Sequence, residues 1–197
     1  MLAEDDLRIM LIGDLDSSFE QMVLSYQHRL YGFALRLSGN PQDAEEIAQD
    51  AFVRAYRALP GYSAEQRSTL AIRPWLYQIA LNVYRNRVRR HTLRQIPLDP
   101  GDDDDRSSPA YQIESDRRER PDVAAEAGEG RRELAALLTA LPEHLRVAVI
   151  LRHVEGMGYD EIAALLAQPV GTVKAHVHRG TQRVREAFVA ARLLEVR

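Results

Sequence analysis

The chain of 197 residues contains no cysteine, which excludes disulfides and thiolate metal sites and agrees with a reducing compartment. It also has no apolar run approaching the roughly 20 residues that a membrane-spanning helix needs. The N-terminus, MLAEDDLRIMLIGDLD, is acidic and lacks the basic start of a secretory signal, so a cytoplasmic protein is expected. No segment alternates with period two, and there is no nucleotide loop, no nucleophile with a paired base and no metal-ligand spacing. Sheet structure, enzyme chemistry, a cofactor and a small-molecule substrate are therefore not indicated. Acid is missing from Gln66 to Leu98, where Arg67, Arg73, Arg85, Arg87, Arg89, Arg90 and Arg94 all fall. It gathers instead at Asp43, Glu45, Glu46 and Asp50 and between Asp99 and Glu129, including Asp102, Asp103, Asp104 and Asp105. The net charge of −3 is thus a cancellation of segregated blocks, and the arginine block is a basic surface available to nucleic acid.

What remains is helical periodicity, and it predicts an all-α chain of two small domains. Phe19, Val23, Tyr26, Leu30, Phe33, Ala34 and Leu37 recur at helical spacing until Gly39, Asn40 and Pro41 stop them. A second amphipathic helix carries Ala44, Ile47, Ala48, Ala51, Phe52, Ala55, Tyr56 and Leu59 and ends at Pro60 and Gly61. A polar loop then leads to a third helix near Pro74, with Trp75, Leu76, Ile79, Ala80 and Val83 turned inward. Residues 17–94 read as a helical bundle, and residues 1–16 as a flexible extension. Residues 95–130 are rich in Asp, Pro, Ser and Gly and poor in aromatics, the composition of a flexible acidic linker. Its aspartate run reads as solvated charge rather than a metal site, and could compete with phosphate for the basic surfaces.

Residues 131–193 form the second domain, whose most telling stretch is YDEIAALLAQPVGTVKAHVHRGTQRVRE, from Tyr159 to Glu186. Ile162, Ala163, Leu165 and Leu166 make one face of a short helix, and Gln168, Pro169, Val170 and Gly171 interrupt it. Thr172 is placed to cap a longer helix whose inward stripe is Val173, Val177, Gly180, Val184 and Phe188. Gly180 costs about 1 kcal/mol against alanine in a helix, which a close crossing of the two helices would explain. The opposite face carries Thr172, Ala175, His178, Arg179 and Gln182, flanked by Lys174, His176 and Arg183. Arginine can bond guanine bidentately, glutamine adenine, and flanking cations can neutralise phosphates, so this helix-turn-helix points to DNA. His176 and His178 are two apart and do not face one another as a metal pair would, but their titration could make DNA affinity pH-sensitive.

The chain resembles the extracytoplasmic-function group of bacterial RNA polymerase sigma factors. NPQDAEEIAQDAFVRAYRAL is similar to region 2.2 of that group, RPWLYQIALNVYRNRVRR to region 2.4, and LPEHLRVAVILRHVEGMGYDEIAALLAQPVGTVKAHVHRG to region 4. The resemblance implies a specificity subunit that binds core RNA polymerase, recognises and melts promoter DNA, and starts transcription. It assigns Asp43, Glu46, Gln49 and Asp50 to the clamp helices of the largest polymerase subunit. Arg67, Arg73, Asn82, Arg85, Arg87, Arg89 and Arg90 fall to the minus-ten element, with a flipped base held in the loop Gly61 to Arg73. Thr172, Lys174, Ala175, His176, His178, Arg179, Gln182 and Arg183 fall to the minus-thirty-five element. Tyr77 and Tyr84 stay open as stacking groups. The family often has serine where Gly158 stands, a Ser-Arg pair at Ala175 and His176, and alanine at Gly180; these departures bear on promoter sequence. An anti-sigma partner, which could hold the protein at the membrane, stays open. So does a plain helix-turn-helix regulator acting without polymerase.

Overall fold

The computed structural model describes residues 4–94 and 133–195. Among these residues there is no strand, and the all-α expectation holds. The linker, including Asp102 to Asp105, lies outside the described residues. The front module comprises α1 (Glu4–Ile12), α2 (Leu15–Ser38), α3 (Pro41–Ala58), a 3-10 turn (Leu59–Gly61), α4 (Ala64–Ser68) and α5 (Ile72–Arg94). The rear module comprises α6 over 133–139, α7 (Glu143–Val149) running on through a π turn (Ile150–Val154), α8 (Tyr159–Leu166) and α9 (Val170–Glu195).

Local chemistry sets the helix ends. The Asp14 side chain accepts from the Asp16 N–H at 3.0 Å to open α2, and Asn40 Oδ1 accepts from Gln42 and Asp43 at 2.8 and 3.2 Å to open α3, each satisfying donors that a helix start leaves free. Gly39 closes α2 at φ 71°, a left-handed conformation in which a Cβ would also lie 2.7 Å from Thr139 Cγ2 of α6. Small residues on α3 (Ala44, Ala48, Ala51, Ala55) let it lie close to α2, and Leu30, Phe33 and Leu37 of α2 meet Leu76, Tyr77 and Ala80 of α5 in one core.

One expectation needs correction. The segment 1–16 is not a loose extension over its whole length: α1 forms, and Leu7 and Leu11, one turn apart, are 1% and 0% exposed. Burying each leucine contributes about 1.5–3 kcal/mol. The two modules pack against one another. The core runs continuously from one into the other, with α5 against α8 and α2 against α7. Tyr77, fully buried, donates to Glu155 Oε2 at 2.5 Å; Arg85 pairs with Glu143 at 2.8 Å; and Arg146 donates to the carbonyls of Leu37 and, at 3.0 Å, Leu141.

Candidate nucleic-acid interface

The α8–α9 unit has the helix-turn-helix form. Ala167 ends α8 in a left-handed conformation at φ 51°, and the Gln168 N–H reaches back to the Ala163 carbonyl at 3.0 Å. Helix α9 begins at Val170, before the predicted cap: Thr172 and Val173 donate to the Pro169 carbonyl at 2.9 and 3.1 Å, so Thr172 sits inside the first turn. At the start of α8, Glu161 accepts from the Gly158 N–H at 2.6 Å; glycine has no side chain to complete a reciprocal cap. Val173 and Val177 are buried as predicted. Gly180 is required by a close crossing, but with α7 rather than α8: a Cβ there would meet Val149 Cγ2 at 2.5 Å and the Leu145 carbonyl at 3.3 Å. Phe188 is 38% exposed, because α9 outruns the short helices it crosses.

The outer face of α9 is open. Lys174, Ala175, His178, Arg179, Gln182 and Arg183 are exposed and Thr172 is half-buried. The arginine is preset by its own helix, with Arg179 Nε donating to the Ala175 carbonyl at 3.3 Å. His176 differs. Its ring packs edge-on to His144 at 4.9 Å, and its Nδ1 is buried. Burial first, then the charges of His144 and Arg179, hold its imidazole below the ordinary 6.5.

The arginines of the front module divide. Asn82, Arg89 and Arg90 are exposed along the outer side of α5. Arg85 is held by Glu143 of the rear module. Arg87 bonds Asp43 at 2.7 Å and also Glu46, which joins the predicted DNA set to the predicted polymerase set. Partial burial works against the Arg87 charge, but the two carboxylates outweigh it and raise its pKa. Arg73 lines a cavity of about 430 Å³ with His28, Arg29, Arg36 and Glu155. Arg67 turns inward to the Leu11 carbonyl at 2.9 Å. Tyr77 and Tyr84 are buried, and burial ahead of Glu155 raises the Tyr77 pKa. On α3, Gln49 and Asp50 are exposed, beside Val53 and Tyr56, each 45% exposed. Sequence periodicity had turned Tyr56 inward; instead its ring packs on Phe19 and its hydroxyl donates to Asp16 at 2.7 Å.

Sequence reasoning also missed an aromatic pair beside the loop: Trp75 Nε1 donates to the Tyr62 hydroxyl at 3.2 Å, with the rings edge-on at 6.0 Å. No spacing rule links residues thirteen apart across a turn.

Comparison with known proteins decides the family. The profile of sigma-70 region 2 matches residues 22–94, and that of sigma-70 region 4 matches residues 131–184. The RNA polymerase sigma-H factor of Pseudomonas aeruginosa is 34% identical over 175 residues, covering 87% of this chain and 86% of that one. The chain is an extracytoplasmic-function sigma factor of the sigma-70 family. The ECF RNA polymerase sigma-E factor of Escherichia coli K12 is 32% identical over 176 residues, 87% of this chain and 86% of its own length. Among solved structures, CnrH in complex with the cytosolic domain of CnrY superposes with a TM-score of 0.65 at 22% identity, covering 96% of this chain and 99% of that one. The sigma factor RpoE of Bartonella quintana, in complex with the anti-sigma factor NepR, gives 0.62 at 20% identity, with 85% and 94% covered. As a sigma factor, the protein binds core RNA polymerase and directs promoter recognition and initiation; a regulator working without polymerase is not favoured.

Proposed function

We propose that this sigma factor reads its promoter with two surfaces and docks with a third. The outer face of α9 enters the major groove at the minus-thirty-five element, where Ala175, His178, Arg179 and Gln182 face base edges and Thr172, Lys174 and Arg183 grip phosphates. His176 stands to one side, buttressed by His144. On the front module, Asn82, Arg89 and Arg90 follow the minus-ten strand, and the loop 61–73 with Tyr62 and Trp75 accepts the flipped base; extracting a base costs a few kcal/mol, which stacking and cationic contacts can offset. The polar face of α3, with Gln49 and Asp50 and with Asp43 and Glu46 beside them, docks on the clamp helices of the largest polymerase subunit. Residues 17–94 and 131–193 are the working units. The protein acts in the cytoplasm, catalyses no step of its own, and has an anti-sigma partner. The support for that partner is a fold shared with a sigma factor solved on its anti-sigma factor.

The observation that carries this reading is the exposed cationic and polar face of α9 above a buried apolar edge. Mapping transcript starts with core polymerase, with and without the chain, tests it. New starts should depend on the chain, and Arg179→Ala should weaken them by about 5- to 150-fold, the loss of one bidentate base contact. Unchanged starts with Arg179→Ala would remove the α9 assignment.

A further inference from the structure

Helix α1 lies outside the matched region 2, which begins at residue 22, yet it is fastened to the loop before α5 at two points. Arg8 Nε donates to the Leu70 carbonyl at 2.9 Å, and Arg67 Nη1 donates to the Leu11 carbonyl at 2.9 Å. The bonds run in opposite directions. One cation leaves α1 for the loop exit, immediately before α5; the other leaves α4 for the last turn of α1, whose carbonyls lack helical partners and carry the negative end of the helix dipole. Just before these points the loop is stiffened by its own cap, with Ser63 Oγ accepting from Gln66 N at 3.2 Å and Gln66 Oε1 accepting from Ser63 N at 2.8 Å. Leu7 and Leu11 anchor α1 in the core, so its backbone is a fixed reference for the loop. Arg67 is half-buried, with its Nε fully covered, so this guanidinium is committed to the protein side of the loop.

We propose that α1 is a positioning element for minus-ten recognition, and that Arg8 and Arg67 are positioning residues which hold the loop 61–71 in its base-accepting shape without touching DNA. The inference rests on the reading of that loop as the base-capture loop. Each cross-bond removes freedom from the loop before the base arrives, so its loss falls on the selectivity for the flipped base. Affinity of the rear module for duplex DNA is left as it was.

The experiment uses the full chain assembled with core polymerase and single-stranded minus-ten oligonucleotides carrying each of the four bases at the flipped position. Arg8→Ala should reduce the ratio of best to worst base by about 2- to 10-fold, the loss of one backbone hydrogen bond. Arg8→Lys, which keeps a donor, should restore part of it. Binding to a minus-thirty-five duplex should be unchanged. A general loss of stability would weaken all four oligonucleotides alike and leave the ratio intact, and that result overturns the proposal. Arg67→Met, which keeps the aliphatic stem and removes the donor, provides the same readout should Arg8→Ala fail to fold. Replacing residues 64–69 with Gly and Ser separates the two readings. If that variant keeps full base selectivity, the base-capture reading fails; if it loses selectivity while both arginine variants keep theirs, the α1 proposal alone fails.

Discussion

Single residues show how finely the packing is drawn. Alanine at position 180 would gain about 1 kcal/mol of helix propensity but set a methyl 2.5 Å from the stiff, branched Val149; overpacking of this kind costs about 1–3 kcal/mol. Gly180→Ala should therefore lower stability by up to about 2 kcal/mol, read from the denaturation midpoint at unchanged slope. His176 makes a pH-dependent contribution of defined sign. Its folded pKa lies below 6.5, so the unfolded chain binds the proton more readily. Stability should fall as pH drops below about 6.5 and level off once the folded imidazole has also titrated. His176→Gln should flatten that part of a pH series of melting curves, and an unchanged slope would show that the ring is not the titrating group.

Among the elements, α5 carries the sharpest distinction between charge that is free and charge that is spent. Arg89 and Arg90 are exposed, whereas Arg87 is engaged by Asp43 and Glu46. Promoter binding by holoenzyme should therefore lose about 0.7–0.9 from the slope of log affinity against log salt with Arg90→Ala, and keep its slope with Arg87→Ala. The latter should instead loosen α3 from α5 by about 1 kcal/mol or less, since all three side chains are more than a third exposed and screened. The longer helices were legible from periodicity, because each buries one stripe. What periodicity could not show was where a stripe ceases to have a neighbour. Phe188 continues the pattern of α9 beyond the helices that cover it, and Tyr56 continues that of α3 onto an outer face. The short α1, acidic at its start, looked like a tail because nine residues show little of a stripe and the partners of Leu11 and Arg8 lie dozens of residues away.

At the scale of the whole molecule, the closed packing of the two modules is at odds with the spacing of the elements they read. Minus-ten and minus-thirty-five elements lie about 25 base pairs apart, or about 85 Å of duplex at 3.4 Å per pair, so modules in direct contact cannot occupy both. The chain between 95 and 132 could reach about 130 Å fully extended, enough for the modules to part. The junction to be broken carries a polar contact beside its apolar core: Tyr77 bonds Glu155, and Arg36 lies 4.0 Å from the same carboxylate. Tyr77→Phe leaves that carboxylate short of a donor and should shift the free protein toward the open form. A cysteine-free chain makes this measurable, since Glu65→Cys and Ala190→Cys take a dye pair without side reactions. The expected outcome is a short inter-dye distance in the free protein, a longer one in holoenzyme on promoter DNA, and an intermediate mean for the Tyr77→Phe variant. An equally short distance on DNA would show that the modules act without separating.

By itself the sequence determined the longer helices, the helix-turn-helix, the family and the charged groups these carry, because they follow from local spacing and motif chemistry that each short segment carries alone. Only the tertiary structure decided which of those groups are free. Arg67, Arg85, Arg87, Tyr77 and His176 all stood in the sequence as candidates for solvent or DNA, and each is taken up by a partner on another element. Whether a cation faces water or a carbonyl is set by the three-dimensional path of the chain, and pairings over such separations leave no periodic trace in the residues that make them.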